Sequence, residues 1–294
     1  MAYLTSTVTG LRFCLRTLYL FTKSDIQTLL VPVAILGFAA APLWSARHAA
    51  EQLMWIWIHL LQFTISNQSC SLNAVTEDSR NKAYRPIPSG RMTLKQAHIL
   101  RWIFVCIGLA ISYKLSFAVL GASCIIVLTT ICYNELDGGG RHWVMRNWLN
   151  GVGFGAFQTG ATLVAGRDRT QLDIVAAKAI GLSSFLFMTT AHTQDLLDVQ
   201  GDMKIGRSTL ALEHPRVARR SILLILSTWS LVLSREWNLH AVFRIFLCGI
   251  AVYVGLRFLF KVGQKEDRQS FYWYIVWLST AYATPMWYRW MLPN

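Results

Sequence analysis

Residues 171–207 read QLDIVAAKAIGLSSFLFMTTAHTQDLLDVQGDMKIGR, an apolar segment long enough to cross a bilayer that ends in a cluster of charges. On a helix, Asp195, Asp198 and Asp202 fall within about 60° of one another over two turns. Three carboxylates this close repel one another unless a cation lies between them, and carboxylates near lipid are costly. The segment therefore predicts a membrane helix that ends in a functional site.

A similar charged segment follows another apolar stretch earlier in the chain. Asn67 lies near the end of that stretch, and residues 77–91 read EDSRNKAYRPIPSGR. If the apolar span continues as a helix, Asn67, Ala74 and Asp78 share one face, because they are spaced seven and then four residues apart. Glu77 places a second carboxylate directly beside Asp78.

A hard divalent cation and a polyphosphate together suit this pattern of charges. Mg²⁺ typically binds through one or two carboxylates and substrate phosphates, and cationic side chains beyond each cluster can hold the outer phosphate oxygens. Those cations are Lys82, Arg85, Arg91, Lys204 and Arg207. Two alternatives stay open. One is solvated charge at a helix end, and the other is the proton relay of a transporter, which favours isolated acids deep within spans.

Composition predicts an all-α, polytopic membrane protein. The 294 residues are 54% hydrophobic and only 15% charged, which is far from the balance of a soluble domain. Nine apolar stretches leave little length for anything else, so residues 1–294 are expected to form one transmembrane domain of nine helices around a central cavity. The stretches are 26–46, 50–70, 97–114, 115–133, 147–166, 171–192, 217–234, 238–260 and 270–291.

The net charge of +13 follows the pattern of membrane topology, and nucleic-acid binding is not expected. Most of the 28 Lys and Arg residues lie in the N-terminal segment and in the loops after the second, fourth, sixth and eighth spans. This bias predicts a cytoplasmic N-terminus and a C-terminus on the far side. Residues 1–24, where Arg12 and Arg16 interrupt an apolar run, are expected to form an amphipathic helix along the inner membrane surface.

The charged segments at 67–91 and 194–210 also carry a family resemblance. SNQ at 66–68, EDSRNKAYRPIPSGR at 77–91 and QDLLDVQGDMKIGRSTL at 194–210 resemble the UbiA superfamily of intramembrane prenyltransferases. They are closer still to its fungal branch of UbiA-type membrane terpene cyclases. The stretch from Tyr133 to Gly151 resembles the same branch.

The resemblance implies a nine-helix fold with a lipid-accessible cavity, in which both motifs bind Mg²⁺ and an isoprenoid diphosphate. Catalytic roles then fall to Asn67, Asp78, Asp198 and Asp202, and metal ligation to Glu77, Asp78, Asp195, Asp198 and Asp202. The cations named above would bind the diphosphate. Ala74 departs from the family pattern, which has an acid there, and Ala83 stands where proline is usual. The alanine at 74 weakens the expectation that two Mg²⁺ ions are held symmetrically.

Breaking an allylic C–O bond leaves a carbocation, which needs a dry pocket with polarisable walls. Aromatic residues make up 13% of the chain, and the candidates for the cavity wall are Tyr133, Trp143, Trp148, Phe154 and Phe157. We expect a Mg²⁺-dependent terpene cyclase of terpenoid secondary metabolism that acts on farnesyl or geranylgeranyl diphosphate in the endoplasmic reticulum membrane. Prenyl transfer to an aromatic or other acceptor, in meroterpenoid or quinone biosynthesis, is the alternative, and transport is a remote one.

Overall fold

The computed structural model describes residues 2–42, 45–70, 74–204 and 206–291, and within these ranges it is helical without a β-strand, as predicted. A π-helical segment, Ile26–Leu30, separates the first two α-helices. The α-helices are α1 (Ala2–Thr22), α2 (Val31–Ala40), α3 (Ala46–Ser69), α4 (Ala74–Asn81), α5 (Leu94–Leu115), α6 (Phe117–Asn134), α7 (Gly138–Arg141), α8 (Trp143–Ala165), α9 (Ile174–Thr190), α10 (His192–Lys204), α11 (Leu210–Glu213), α12 (Pro215–Glu236), α13 (Ala241–Phe260) and α14 (Gln264–Met291).

Five helical segments among the described residues are long and apolar enough to cross a membrane: α5, α6, α9 with α10, α12 and α13. A sixth results if Gly10–Thr22 and Ile26–Ala40, which meet at an angle of 61°, count as one broken span. Helices α3, α8 and α14 have 24, 23 and 28 residues but do not meet the same test. The predicted number of nine spans is therefore not confirmed.

The interior of α3 shows why a long helix can be less apolar than a simple span. His59 Nδ1 lies 2.8 Å from the carbonyl oxygen of Trp55, and His59 Nε2 lies 2.9 Å from Ser123 Oγ. Ser123 Oγ contacts Ser112 Oγ at 2.5 Å. Ser112 Oγ also accepts a hydrogen bond from Trp55 Nε1 at 2.9 Å. Polar groups away from water need partners inside the protein. Trp55 and His59 of α3 thus direct their polar atoms at α5 and α6 rather than at lipid.

Glycines let α8 approach its neighbours closely. A Cβ atom on Gly160 would lie 2.1 Å from Trp55 Cη2, and one on Gly151 would lie 2.7 Å from Met188 Cβ. Small residues at crossings of membrane helices allow the backbones to come together. These two contacts hold α8 between α3 and α9, and so fix where the inward-facing side chains of α8 lie.

The N-terminal segment forms the predicted helix, α1, over Ala2–Thr22. Residues 10–16 are all exposed, and Thr17 and Phe21 near the end of the helix are buried. Its place along the inner membrane surface stays a prediction.

The first charged segment lies on a short helix that is separate from the helix before it, whereas the second lies on α10, which forms one membrane-length segment with α9. Helix α3 ends at Ser69, whereas Asp78 lies on α4, so the continuous helix that would place Asn67 and Asp78 on one face is not formed. The run TEDSRN in α4 is costly to keep in an apolar span. Helix α10 begins at His192 after α9 and carries all three aspartates of the second segment on one helix, as the spacing predicts.

Candidate active site

A cavity joins the two charged segments. The predicted site residues that line it are Asn67, Asp78, Lys82, Arg85, Tyr133, Phe154, Phe157, Asp198 and Arg207. They come from α3, α4, α6, α8, α10 and the loops after α4 and α10. The fold thus brings together side chains from both acidic motifs, although 140 positions separate residues 67 and 207.

In the first motif, Asp78 is paired with Arg85, and both side chains are buried. Arg85 Nη1 donates to Asp78 Oδ1 at 2.7 Å and to Oδ2 at 2.8 Å, while Nη2 donates to Ser24 Oγ at 3.1 Å. Burial lowers the pKa of Arg85, but the charges of Asp78 and Asp25 outweigh that effect and the pKa is raised. The guanidinium therefore stays charged and neutralises Asp78.

In the second motif, two of the three aspartates are also paired with arginine. Arg146 Nε donates to Asp195 Oδ1 at 3.0 Å, and Arg207 Nη1 donates to Asp202 Oδ1 at 2.8 Å. The Oδ2 atoms of Asp195 and Asp202 are buried and have no hydrogen-bond partner within the described part of the chain. Asp198 lies between them in sequence. Its side chain is half-buried and lines the cavity. Buried oxygens of this kind normally have a partner, so these two Oδ2 atoms are free to accept a hydrogen bond or to contact a cation.

The donor set fits Mg²⁺, although the described side chains do not already form a metal cage. No three His, Cys, Asp or Glu residues among them stand close enough together to hold an ion as they are. Mg²⁺, however, usually relies on few carboxylates and completes its shell with water and phosphate. The residues that would hold it are Asp195, Asp198 and Asp202. A bound ion would neutralise charge on the phosphate oxygens.

Aromatic rings form the apolar part of the cavity wall. Phe154 of α8 stacks on Phe187 of α9 with ring centroids 3.6 Å apart, and both line the cavity. Phe157, one turn further along α8, meets the edge of Trp55 at 6.5 Å. The predicted positions of Tyr133, Phe154 and Phe157 therefore face the same space as the charged groups.

Seven other predicted residues are not among those that line the cavity, and two of them are the arginine-paired Asp195 and Asp202. Arg91 donates to Thr17 Oγ1 at 3.3 Å and lies over the ring of Phe13, so it faces α1. Lys204 is exposed at the end of α10, Trp148 is 50% exposed on the outer side of α8, and Trp143 stacks on His142 at the start of that helix. The last is Glu77, whose side chain lies outside the part that the structure describes.

Comparison with known proteins identifies the family. Residues 29–281 match the UbiA prenyltransferase family. The chain belongs to this family. It is 31% identical over 280 residues to fumagillin beta-trans-bergamotene synthase of Aspergillus fumigatus, and the match covers 94% of this chain and 93% of that relative. A diterpene cyclase of Hericium erinaceus is 28% identical over 282 residues, which cover 90% of this chain and 86% of the cyclase.

The fold of the UbiA family is also evident in solved structures. A UbiA homolog from Archaeoglobus fulgidus bound to GPP and Mg²⁺ superposes with a TM-score of 0.63 at 15% identity, covering 91% of this chain and 98% of that one. Membership of the UbiA family makes this protein an enzyme. Together with its long apolar helices, it also makes the protein an integral, multi-pass membrane protein.

Arg146 has a place in this UbiA site that the sequence reasoning did not assign. Besides Asp195, its Nη1 donates to Tyr133 OH at 2.5 Å and to the carbonyl oxygen of Gly139 at 3.1 Å. The signal was present, since an arginine beside an apolar span marks a functional site by default. Ser24 and Asp25, which also line the cavity, gave no such signal because they sit in a short polar connection.

The three glycines Gly138–Gly140 connect Tyr133 with the second motif. A Cβ atom on Gly139 would lie 2.6 Å from Tyr133 Cε1, so the ring packs directly on the backbone of this turn. Ser208, just after Arg207, donates its N–H to the carbonyl oxygen of Gly140 at 3.1 Å. The turn therefore supports an aromatic wall of the cavity on one side and the second motif on the other.

For this UbiA enzyme we expect Asp78 to matter more than Glu77. Asp78→Asn removes the charge that holds Arg85 and should lower kcat/KM for an isoprenoid diphosphate about 10- to 100-fold, since hydrogen bonds to charged groups contribute about 1.5–3 kcal/mol. Glu77→Gln should cost much less. The opposite result, an inactive Glu77→Gln beside an active Asp78→Asn, would identify Glu77 as the functional carboxylate.

Proposed function

We propose that this UbiA-family protein is a Mg²⁺-dependent membrane terpene cyclase that acts on farnesyl or geranylgeranyl diphosphate. The observation that carries the proposal is the composition of the cavity. The charged part of its lining, here called the polar end, includes Lys82, Arg85, Arg207 and Asp198, and its aromatic lining includes Phe154 and Phe157. A diphosphate suits the first group of residues, and a carbocation suits the second.

The chemistry proceeds by ionisation and ring closure. The allylic C–O bond breaks with both electrons passing to oxygen, and the cationic side chains stabilise the negative charge of the leaving diphosphate. Mg²⁺, when bound, adds Lewis-acid stabilisation of that charge. The aromatic faces favour the allylic cation and keep water away from it. A double bond of the same chain attacks the cation, and loss of a proton gives a cyclic hydrocarbon.

Three observations support cyclisation over prenyl transfer. Relatives that cover nearly the whole chain are named as a terpene synthase and a diterpene cyclase. The first motif has Ala74 where prenyltransferases of the quinone and haem pathways usually have an acid. Stacked aromatic rings line the cavity. The second candidate is prenyl transfer to an aromatic or other acceptor, which the description of the matched family favours.

One assay distinguishes these functions. Purified protein is given farnesyl or geranylgeranyl diphosphate with Mg²⁺ and no acceptor, and products are measured by gas chromatography with mass spectrometry. A cyclic hydrocarbon that disappears when EDTA is added supports the cyclase. Turnover that begins only when a phenol is added supports the transferase. Absence of turnover under both conditions, with flux of a substrate across proteoliposomes, would support a transporter instead.

We also propose that the polar end of the cavity faces the cytoplasm, with the protein in the endoplasmic reticulum membrane. The distribution of Lys and Arg among the loops supports this orientation. Soluble synthases release isoprenoid diphosphates on that side, so the charged head group would dock there while its apolar tail enters between helices.

Cysteine labelling tests the orientation. Ser89 and Gly206 are exposed positions that follow the first and second motifs. In a variant that lacks the six native cysteines, Ser89→Cys and Gly206→Cys should react with an impermeant maleimide from the cytoplasmic side of sealed vesicles and not from the other. Thr170→Cys, at an exposed position of the loop after α8, serves as the control with the opposite expectation. Labelling of positions 89 and 206 from the far side would invert the topology.

A further inference from the structure

The bend between α1 and α2 brings two polar residues to the cavity that belong to neither acidic motif. Ser24 and Asp25 come just before the π-helical segment, where the chain turns by 61°. Both line the cavity at its polar end, together with Asp78 and Arg85. A segment more than 40 residues before the first motif in sequence therefore takes part in the same site.

A continuous chain of hydrogen bonds joins this bend to the first motif. Arg85 Nη1 donates to Asp78, and Arg85 Nη2 donates to Ser24 Oγ at 3.1 Å. Ser24 Oγ donates its own proton to Asp25 Oδ2 at 2.7 Å. Because a hydroxyl has a single proton, acceptance from the guanidinium and donation to the carboxylate fix the direction of the chain. Arg85 is thus held from two sides, each ending in a carboxylate.

Arg85 has N–H groups left for a ligand. Its Nη1 atom donates to Asp78 and one N–H of Nη2 donates to Ser24, whereas no hydrogen bond to a described residue is seen for the second N–H of Nη2 or for the buried Nε–H. The side chain is only 7% exposed, and an unsatisfied buried donor of a charged group is costly. A phosphate oxygen is the acceptor that a guanidinium in such a place prefers.

Asp25 has no role in capping the helix that it precedes. Aspartate is favoured at helix N-termini because its side chain accepts backbone N–H groups. The Asp25 side chain makes no such bond, and only its backbone carbonyl accepts from Leu29 and Leu30. Its charge instead raises the pKa of Arg85, together with that of Asp78. The carboxylate therefore acts on the cavity rather than on the local helix.

We propose that Asp25 is a positioning residue of the diphosphate site, which acts through Ser24 to hold Arg85 at the cavity wall, where its remaining N–H groups can donate to phosphate oxygens. This inference rests on the proposed function in so far as the ligand is a diphosphate. The bend supplies, from outside the first motif, a second carboxylate that is linked to Arg85 through Ser24. Asp25 and Ser24 need not touch the substrate.

Binding of inorganic pyrophosphate with Mg²⁺ to the purified protein, measured by isothermal titration calorimetry, tests the inference without any turnover. Ser24→Ala and Asp25→Asn should each raise the Kd for pyrophosphate about 10-fold, which is the effect of losing one hydrogen bond to a charged group. Ser24→Thr keeps the hydroxyl and should stay close to the original protein. Ser79→Ala on the exposed side of α4, and Asp168→Asn on an exposed loop, are matched controls expected to change nothing.

The kinetic constants should likewise show weaker substrate binding with little change in turnover. With an isoprenoid diphosphate, Ser24→Ala and Asp25→Asn should raise KM about 10-fold and change kcat less than about threefold, because Arg85 remains present. Unchanged pyrophosphate binding in both variants, or a lowered Tm with normal binding, would overturn the inference while leaving the cyclase proposal intact. Failure of the original protein to bind pyrophosphate would overturn both. Binding that depends on Asp25 without turnover would overturn only the cyclase.

Discussion

Asp198→Asn is expected to lower the turnover of an isoprenoid diphosphate more than about 100-fold while leaving Tm nearly unchanged. Asp198 is the one aspartate of the second motif that the structure places in the cavity wall, and no ion pair with it is seen among the described residues. Its charge is therefore available to a bound cation, and its loss weakens stabilisation of the leaving diphosphate most strongly in the transition state.

The comparison with Asp202 sharpens this prediction. Asp202 is fully buried and paired with Arg207, so Asp202→Asn should lose activity and also lower Tm. Initial rates at saturating Mg²⁺ and thermal unfolding in detergent separate the two effects. Asp168→Asn, on an exposed loop, is the control for a lost surface charge. Near-normal rates in both Asp198→Asn and Asp202→Asn would end the assignment of the second motif to the metal.

Arg146→Met should destabilise the protein by about 3–5 kcal/mol, because it leaves Asp195 as an unpaired charge in a buried site. Asp195 is 2% exposed and its pairing with Arg146 is the ion pair that the structure shows for it. Activity should be lost as well, since Arg146 also holds Tyr133 through its hydroxyl.

A double variant isolates the cause. Arg146→Met with Asp195→Leu removes both charges, so most of the stability should return, because replacing a buried pair by apolar side chains is often neutral. Activity should stay absent, since the second motif has then lost a carboxylate. Denaturation midpoints and product yields of the two single variants and the double variant test this. A double variant as unstable as Arg146→Met would show that the lost contacts to Tyr133 and Gly139 matter more than the charge.

The acidic motifs were predictable because carboxylates next to apolar spans are rare and usually have a functional role. Asp78, Asp198, Arg85 and Arg207 were expected at one site from residue type and spacing, and the cavity contains all four. The relative rotation of the short helices was not predictable, because the path between Asn67 and α4 depends on how the chain leaves α3. The pairing of Asp78, Asp195 and Asp202 with arginines likewise needs coordinates.

Aromatic positions were harder to predict, because an apolar helix gives little indication of which face is inside. Phe154 and Phe157 face the cavity, whereas Trp148 on the same helix is half exposed. Sequence also overstated the apolar character of the spans. The buried polar ring around His59 shows that α3 satisfies polar groups internally, and such pairing cannot be read from composition.

The three ion pairs of the site differ in how far apart their partners lie in the sequence. They therefore differ in how easily recombination between related genes would separate the partners. Asp78 and Arg85 lie seven residues apart, and Asp202 and Arg207 five, so each pair travels within a single short segment. Asp195 and Arg146 lie 49 residues apart on different helices. In a gene-shuffling experiment among relatives, a crossover between α8 and α10 would separate that pair, and it would be tolerated only where both parents carry matching partners. Segment boundaries for chimaeras should therefore keep residues 146–195 together.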